Sequence, residues 1–403
     1  MSRRARRITS VADARYLARR AVPRPIDEYM EAGAGTGVTV ERNLQAFEQI
    51  GFNQRAAQWW PERDLHSTVL GHRIEMPVIA APVGALGVVH PDREVGVTRA
   101  AGAAGTIQMV SSFTCTPIEE IVASASGPIF MQLYYPGSRE AAAPIIQRAR
   151  NAGCEALVIT VDTAAVPHRE HPIPGRVNFD QPGWRDRLNL VRHLLAHPDW
   201  TATFLRQRER RFTVPMVTRP DGKPVSMFEM SELALTTAPV WDDFRWIHEQ
   251  WAGPVIIKGI LSAEDARRAV DAGATAIVVS NHGGNILDGL PATMRVLPEI
   301  VAAVADDVEI LLDGGVRRGT DVLKAVALGA RAVLVGRSFV WALAAAGEAG
   351  VRQILRVYRD EIDNALAGLG APSIEALDAS YLRLPADFAV RPAGLDPATN
   401  EFV

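Results

Sequence analysis

The chain has 403 residues, enough for two or three average domains or for one elaborated α/β barrel. Hydrophobic residues make up 48% and charged residues 22%, a globular balance that excludes a disordered or fibrous chain. With 43 Lys and Arg against 46 Asp and Glu the formal net charge is -3, so no basic excess points to nucleic acid; two cysteines, Cys115 and Cys154, exclude a disulfide framework or a multi-cysteine metal site.

The N-terminal segment MSRRARRITS is arginine-rich with no apolar run behind it, so it lacks the layout of a secretory signal and a cytoplasmic location is expected. Helical stretches follow at 11–20 and 26–31, then the loop EAGAGTGVT at 31–39, together read as an N-terminal helical cap over residues 1–70. Gly33, Gly35 and Gly37 follow a helix-like stretch where a dinucleotide fingerprint needs a strand, so a Rossmann site is rejected. The apolar window 332–351 is interrupted by Arg337 and Glu348, so no transmembrane segment is expected.

From residue 76 onward, apolar β-branched runs alternate with Ala-rich helical segments. The runs lie at 76–83, 105–112, 128–134, 156–162, 254–260, 276–283, 308–315 and 332–338. Near-continuous apolar runs suit strands buried on both faces, and eight of them predict a closed (β/α)8 TIM barrel over residues 71–373, followed by a C-terminal tail, 374–403. The connection after the fourth run, residues 163–240, is far longer than the others and is read as a lid over the barrel mouth. It holds a helical stretch at 185–197 and the arginine cluster RQRERRF at 206–212, read as a solvated helix face.

Chemistry on such a barrel belongs at the C-terminal strand ends. The sixth run ends in Ser280, Asn281 and His282, and a histidine beside glycines is well placed for acid/base work. Asp162, ending the fourth run, can hold one imidazole nitrogen and stabilise the imidazolium. The seventh and eighth ends, with Gly314, Gly315, Arg317, Gly336 and Arg337, form the usual barrel phosphate site, which calls for a phosphate-bearing cofactor. Lys258, inside the fifth run, needs an anionic partner: either a Schiff base or an anionic reduced cofactor ring, the latter favoured by the phosphate site and the His–Asp pair. No metal site is read.

These motifs, SNHGG (280–284), LDGGVRRGTDVLKAVALG (312–329), VGR (335–337), TVDT (160–163), QLY (132–134) and IKG (257–259), together resemble the FMN-dependent α-hydroxy acid oxidases and dehydrogenases from about residue 12 to 371. The resemblance implies FMN across the barrel mouth, with the backbone of Ala81, Pro82, Val83 and Gly84 beneath its ring, Ser111, Gln132, Thr160 and Lys258 against the ring, and Ser280 near the ribityl chain. It assigns the phosphate to Asp313, Gly314, Gly315, Arg317, Gly336 and Arg337. It makes His282 the base, Asp162 its orienter, and Tyr29, Tyr134 and Arg169 the substrate-holding residues, Arg169 pairing with a carboxylate. The implied reaction oxidises a hydroxyl-bearing carbon to a ketone in a small-molecule substrate, the electrons passing on to oxygen, a quinone or a redox protein; a homotetramer is the implied assembly.

The family's second carboxylate-binding arginine is replaced by Asn285, Ile286 stands for the following glutamine, and Phe113 stands where many members carry Trp. Losing that donor set weakens a plain carboxylate by roughly 1.5–3 kcal/mol. The SNHGGN wording is similar to the pre-mycofactocin synthase branch, which oxidises a cyclised peptide-derived amine; amine oxidation is therefore the alternative, and neutral Asn285, both donor and acceptor, suits an amide.

Overall fold

A computed structural model describes residues 2–164, 167–170, 184–206, 213–218, 222–235 and 238–388. Eight parallel strands close a barrel: β1 (Val78–Ala80), β2 (Gln108–Ser111), β3 (Ile129–Tyr134), β4 (Ala156–Thr160), β5 (Val255–Ile260), β6 (Ala276–Val279), β7 (Glu309–Leu312) and β8 (Ala332–Val335). Each lies within one of the eight apolar runs, and β8 pairs β1 through Val333–Val78 to close the ring. Nearly all strand residues are buried, because barrel filling and the outer helices cover both faces. The outer helices start and stop where their sequence dictates: Ser138 and Ser262 accept hydrogen bonds from Ala141 and Asp265 amides at two N-termini, and Gly153 ends the Arg139–Ala152 helix in the left-handed region.

The N-terminal segment forms α1 (Val11–Ala21), α2 (Arg24–Glu31) and α3 (Val38–Gln49). The glycine loop between α2 and α3 does bind an anion, but one of the protein's own: Asp288 accepts hydrogen bonds from the amides of Thr36, Gly37, Val38 and Thr39. That occupancy of a helix N-terminus explains the glycines without a dinucleotide. The insertion after β4 contributes α4 (Trp184–Ala196), α5 (Pro198–Arg206) and α6 (Met227–Leu235), with a short antiparallel pair, Thr213–Thr218 and Pro224–Ser226. Beyond Arg206 the arginine cluster lies outside the described residues. Trp200 Nε1 donates to Val88 O, tying α5 to the barrel.

Two helices follow the last two strands: α7 (Gly319–Ala327), and α8 (Arg337–Leu369), which is broken at Ala346 and Gly347. Residues 374–388 pack back on the body, where Leu382–Arg383 pairs antiparallel with Gly51–Phe52 and Phe388 is buried; residues 389–403 lie outside the described residues. Among the described residues no helix is long and apolar enough to cross a membrane, and no group of His, Cys, Asp and Glu is arranged to hold a metal.

Candidate active site

One cavity of about 340 Å³ opens at the C-terminal ends of the strands. His282 sits on its wall. Its backbone φ of 55° puts a non-glycine residue in the left-handed region, a cost that functional turns tolerate when their surroundings hold them. The surroundings do so here: the Asn281 amide and Asn43 of α3 exchange hydrogen bonds at 2.8 and 2.9 Å, Asn281 also donates to Pro291 O, and Ser280 Oγ accepts from the His282 amide.

The imidazole is held at both nitrogens. Nδ1 lies 3.1 Å from Asp162 Oδ1, and Nε2 lies 3.0 Å from the Tyr134 hydroxyl, which faces the cavity. Gly259, with a φ of +117°, makes room for this arrangement, since a Cβ there would stand 2.8 Å from the Asp162 Cβ. Burial alone would raise the Asp162 carboxyl, but the adjacent His282 and then Lys258 outweigh it and hold it below its ordinary range. Burial and the charge of Asp162 push the Tyr134 phenol far up, so it stays a neutral donor.

Lys258 is 4% exposed on β5, and its ammonium reaches Asp313 Oδ2 at 3.1 Å and Ser280 Oγ at 2.9 Å. Burial would lower its pKa; Asp313 and Asp162 more than compensate, so it remains charged. A permanently protonated lysine argues against a Schiff base. Asp313 thus faces a cation inside the barrel mouth and also lines the cavity beside Gly314 and Gly315. Beneath the cavity, buried Gln132 donates to Thr160 Oγ1 at 2.8 Å, and Ser111 Oγ accepts from the Phe113 amide.

One end of the cavity is lined by Gly314, Gly315, Arg317, Gly336 and Arg337, beside the start of α8. A Cβ on Gly315 would lie 2.4 Å from Asn43 O, so only glycine brings this backbone to the cavity. Arg317 and Arg337 are partly open to the cavity but otherwise surrounded by protein. Burial lowers both, and repulsion from Arg317 adds to it at Arg337, which falls to about 10. Two guanidiniums crowded this way describe a site that wants an anion.

The cavity's other end carries Tyr29, which donates to Gly84 O, with Phe113 edge-on to Tyr134, and Arg169, whose Nη2 donates to Asn285 Oδ1 at 3.2 Å. Ala81, Pro82, Val83 and Gly84 form a wall after β1. The sequence reading missed the roof: Met227 and Ser231 of α6, with Pro167 and Met30, also line the cavity. Only the packing of the insertion and of α2 reveals them, since no motif marks these residues.

FMN fits what is present. Gln132 Oε1 and Asp313 Oδ1 are buried without a hydrogen-bond donor among the described residues. A flavin edge brings an N–H and a ribityl chain brings hydroxyls, the donors such acceptors lack. The anion end, a charged lysine and the wall after β1 suit its phosphate, ring edge and ring face in turn.

Comparison with known proteins agrees. The chain is 43% identical over 385 residues to the pre-mycofactocin synthase of Mycobacterium tuberculosis, covering 94% of this chain and 95% of that protein. It is 37% identical to glycolate oxidase 1 of Oryza sativa, covering 96% and 98%. The crystal structure of (S)-mandelate dehydrogenase, described as a monotopic membrane protein, superposes with a TM-score of 0.86 at 32% identity, covering 94% of this chain and all of that one. The model of the FMN-dependent dehydrogenases matches residues 18–384, and the chain belongs to that family: an FMN-dependent oxidoreductase on a (β/α)8 barrel.

Proposed function

We propose that this enzyme oxidises a hydroxyl-bearing carbon next to a carbonyl, in a 2-hydroxy acid or a derivative of one, to a ketone. The observation that carries the reading is the chain Asp162–His282–Tyr134 at the cavity wall, 3.1 and 3.0 Å between successive groups. His282 Nε2 takes the proton released by the substrate, and Asp162 fixes the ring and balances the imidazolium. Tyr134 and Tyr29 hold the reacting oxygen, and Arg169 draws the neighbouring carboxylate or carbonyl into register. FMN, held there, would supply the two-electron acceptor and take up the second hydrogen. The ring contacts fall to Gln132, Thr160, Ser111 and Lys258, the ribityl chain to Ser280 and Asp313, and the phosphate to Gly314, Gly315, Arg317, Gly336 and Arg337.

A second reading, oxidation of an amine beside an amide carbonyl, is favoured by Asn285. It leaves Arg169 as the carboxylate-facing cation of this pair, and its neutral amide can both donate and accept. Mixing the yellow holoenzyme without oxygen with a panel of 2-hydroxy acids, 2-hydroxy amides and cyclic amino amides separates the two. Flavin bleaching by hydroxy compounds supports the first; bleaching by amines alone replaces it with the second.

The reoxidant is oxygen, a quinone or a redox protein, distinguished by supplying each to the bleached enzyme. We place the enzyme in the cytoplasm as a homotetramer, a state that rests on family resemblance and is checked by light scattering. Leu188, Val191 and Leu195 line one face of α4 and are exposed, so fractionation must include the membrane pellet.

A further inference from the structure

Arg317 and the N-terminal cap meet on one aromatic ring. Trp341 lies one turn into α8 from Arg337 and is only 3% exposed. The Arg317 guanidinium carbon stands 5.2 Å from its ring centroid and that of Arg15, from α1, stands 5.4 Å away. Trp341 Nε1 has no acceptor among the described residues, so a hydrogen bond at its polar edge does not explain an indole here. Its π face, contacted by two cations, does.

Arg15 is not free to swing. Glu31, the last residue of α2, grips it with two hydrogen bonds of 2.6 and 2.7 Å. Arg337 donates to Ala32 O, the next residue, and to Gly283 O beside His282. The end of α2, with Tyr29 on it, is therefore fastened to both arginines of the anion site, to one directly and to the other through Trp341 and Arg15. Without an anion these guanidiniums repel one another; a phosphate dianion turns that repulsion into attraction.

We propose that Arg15 and Trp341 form an outer layer of the FMN phosphate site, through which the bound phosphate holds the N-terminal cap, and Tyr29 with it, in place. They are positioning residues, and the inference rests on FMN binding with its phosphate at Arg317 and Arg337. Arg15, together with Arg19 at 3.6 Å, also offsets the charge of Glu31 at the end of α2.

The test compares FMN with riboflavin, which has the same ring and no phosphate. Flavin release from the holoenzyme on dilution, and exchange into riboflavin by dialysis, give the affinity for each. Arg15→Met and Trp341→Leu should weaken FMN about three- to thirty-fold and leave riboflavin unchanged, while Trp341→Phe retains most of the FMN affinity. Amide exchange over residues 24–31 should be faster with riboflavin bound than with FMN bound, and Arg15→Met should erase that difference. Equal losses for both flavins, or no loss for either, would overturn the proposal. Arg317→Met serves as the control beneath it: if that variant still prefers FMN as the wild type does, the phosphate assignment itself fails.

Discussion

Arg169 donates a hydrogen bond to Asn285 across 3.2 Å, so the neutral amide that stands where the family resemblance expects a second arginine is engaged with the cation proposed to hold the substrate. One arginine beside a neutral amide makes a weaker grip on a small hydroxy acid than two arginines do. On the proposed function a substrate larger than glycolate or lactate is expected, for which Met30, Met227 and Phe113 of the cavity lining offer apolar surface.

Asn285→Arg should restore the two-cation clamp and raise kcat/KM for lactate or mandelate by about tenfold or more. Arg169→Met should lower kcat/KM on any carboxylate substrate by roughly 10- to 150-fold. If the native substrate is instead a neutral amide, Asn285→Arg places an uncompensated guanidinium beside it and activity on that substrate collapses. Steady-state kinetics on both variants decide.

Asp162→Asn should keep FMN and slow flavin reduction by about 10²- to 10⁴-fold, because the imidazolium loses its counter-charge. The same variant has a pH signature. Since burial is outweighed by His282 and the folded carboxyl is held below its unfolded value, Asp162 adds stability that is complete above the ordinary carboxylate range and is lost as pH falls through the folded value. Thermal melts from pH 6 to pH 3 should therefore decline less steeply in Asp162→Asn than in the wild type.

Lys258→Met leaves Asp313 buried without its cation, a loss of about 3–5 kcal/mol by the usual cost of breaking a buried pair. It should also weaken flavin binding and slow reduction, as the charge beside the ring is gone. Denaturant melts and flavin release measure the two effects, and an unchanged melt with unchanged sulfite binding would contradict the role.

The barrel was legible because every strand is buried on both faces and reads as an unbroken apolar run; β1 and β8 are each a handful of residues, yet MPVIAAPV and AVLVGRS mark them clearly. His282 and Asp162 were legible because strand ends converge in a barrel whatever their separation in sequence. What escaped depends on how the cap and lid pack. Asp288 sits in an LDG turn that reads as an ordinary loop, and only the folded chain shows it holding the Thr36–Thr39 amides. Likewise Trp341 lies in an apolar helix where aromatic residues are ordinary core, and its two arginines come from residues 15 and 317.

The most direct test is anaerobic reduction of the bound flavin in wild type and His282→Ala. With the compound that bleaches the wild type, His282→Ala should arrive yellow and fully loaded with FMN, since His282 is no phosphate ligand, and should stay oxidised over many wild-type half-times. Bleaching of His282→Ala at the wild-type rate would show that the proton leaves by another group, and the site built around Asp162, His282 and Tyr134 would not be the catalytic one.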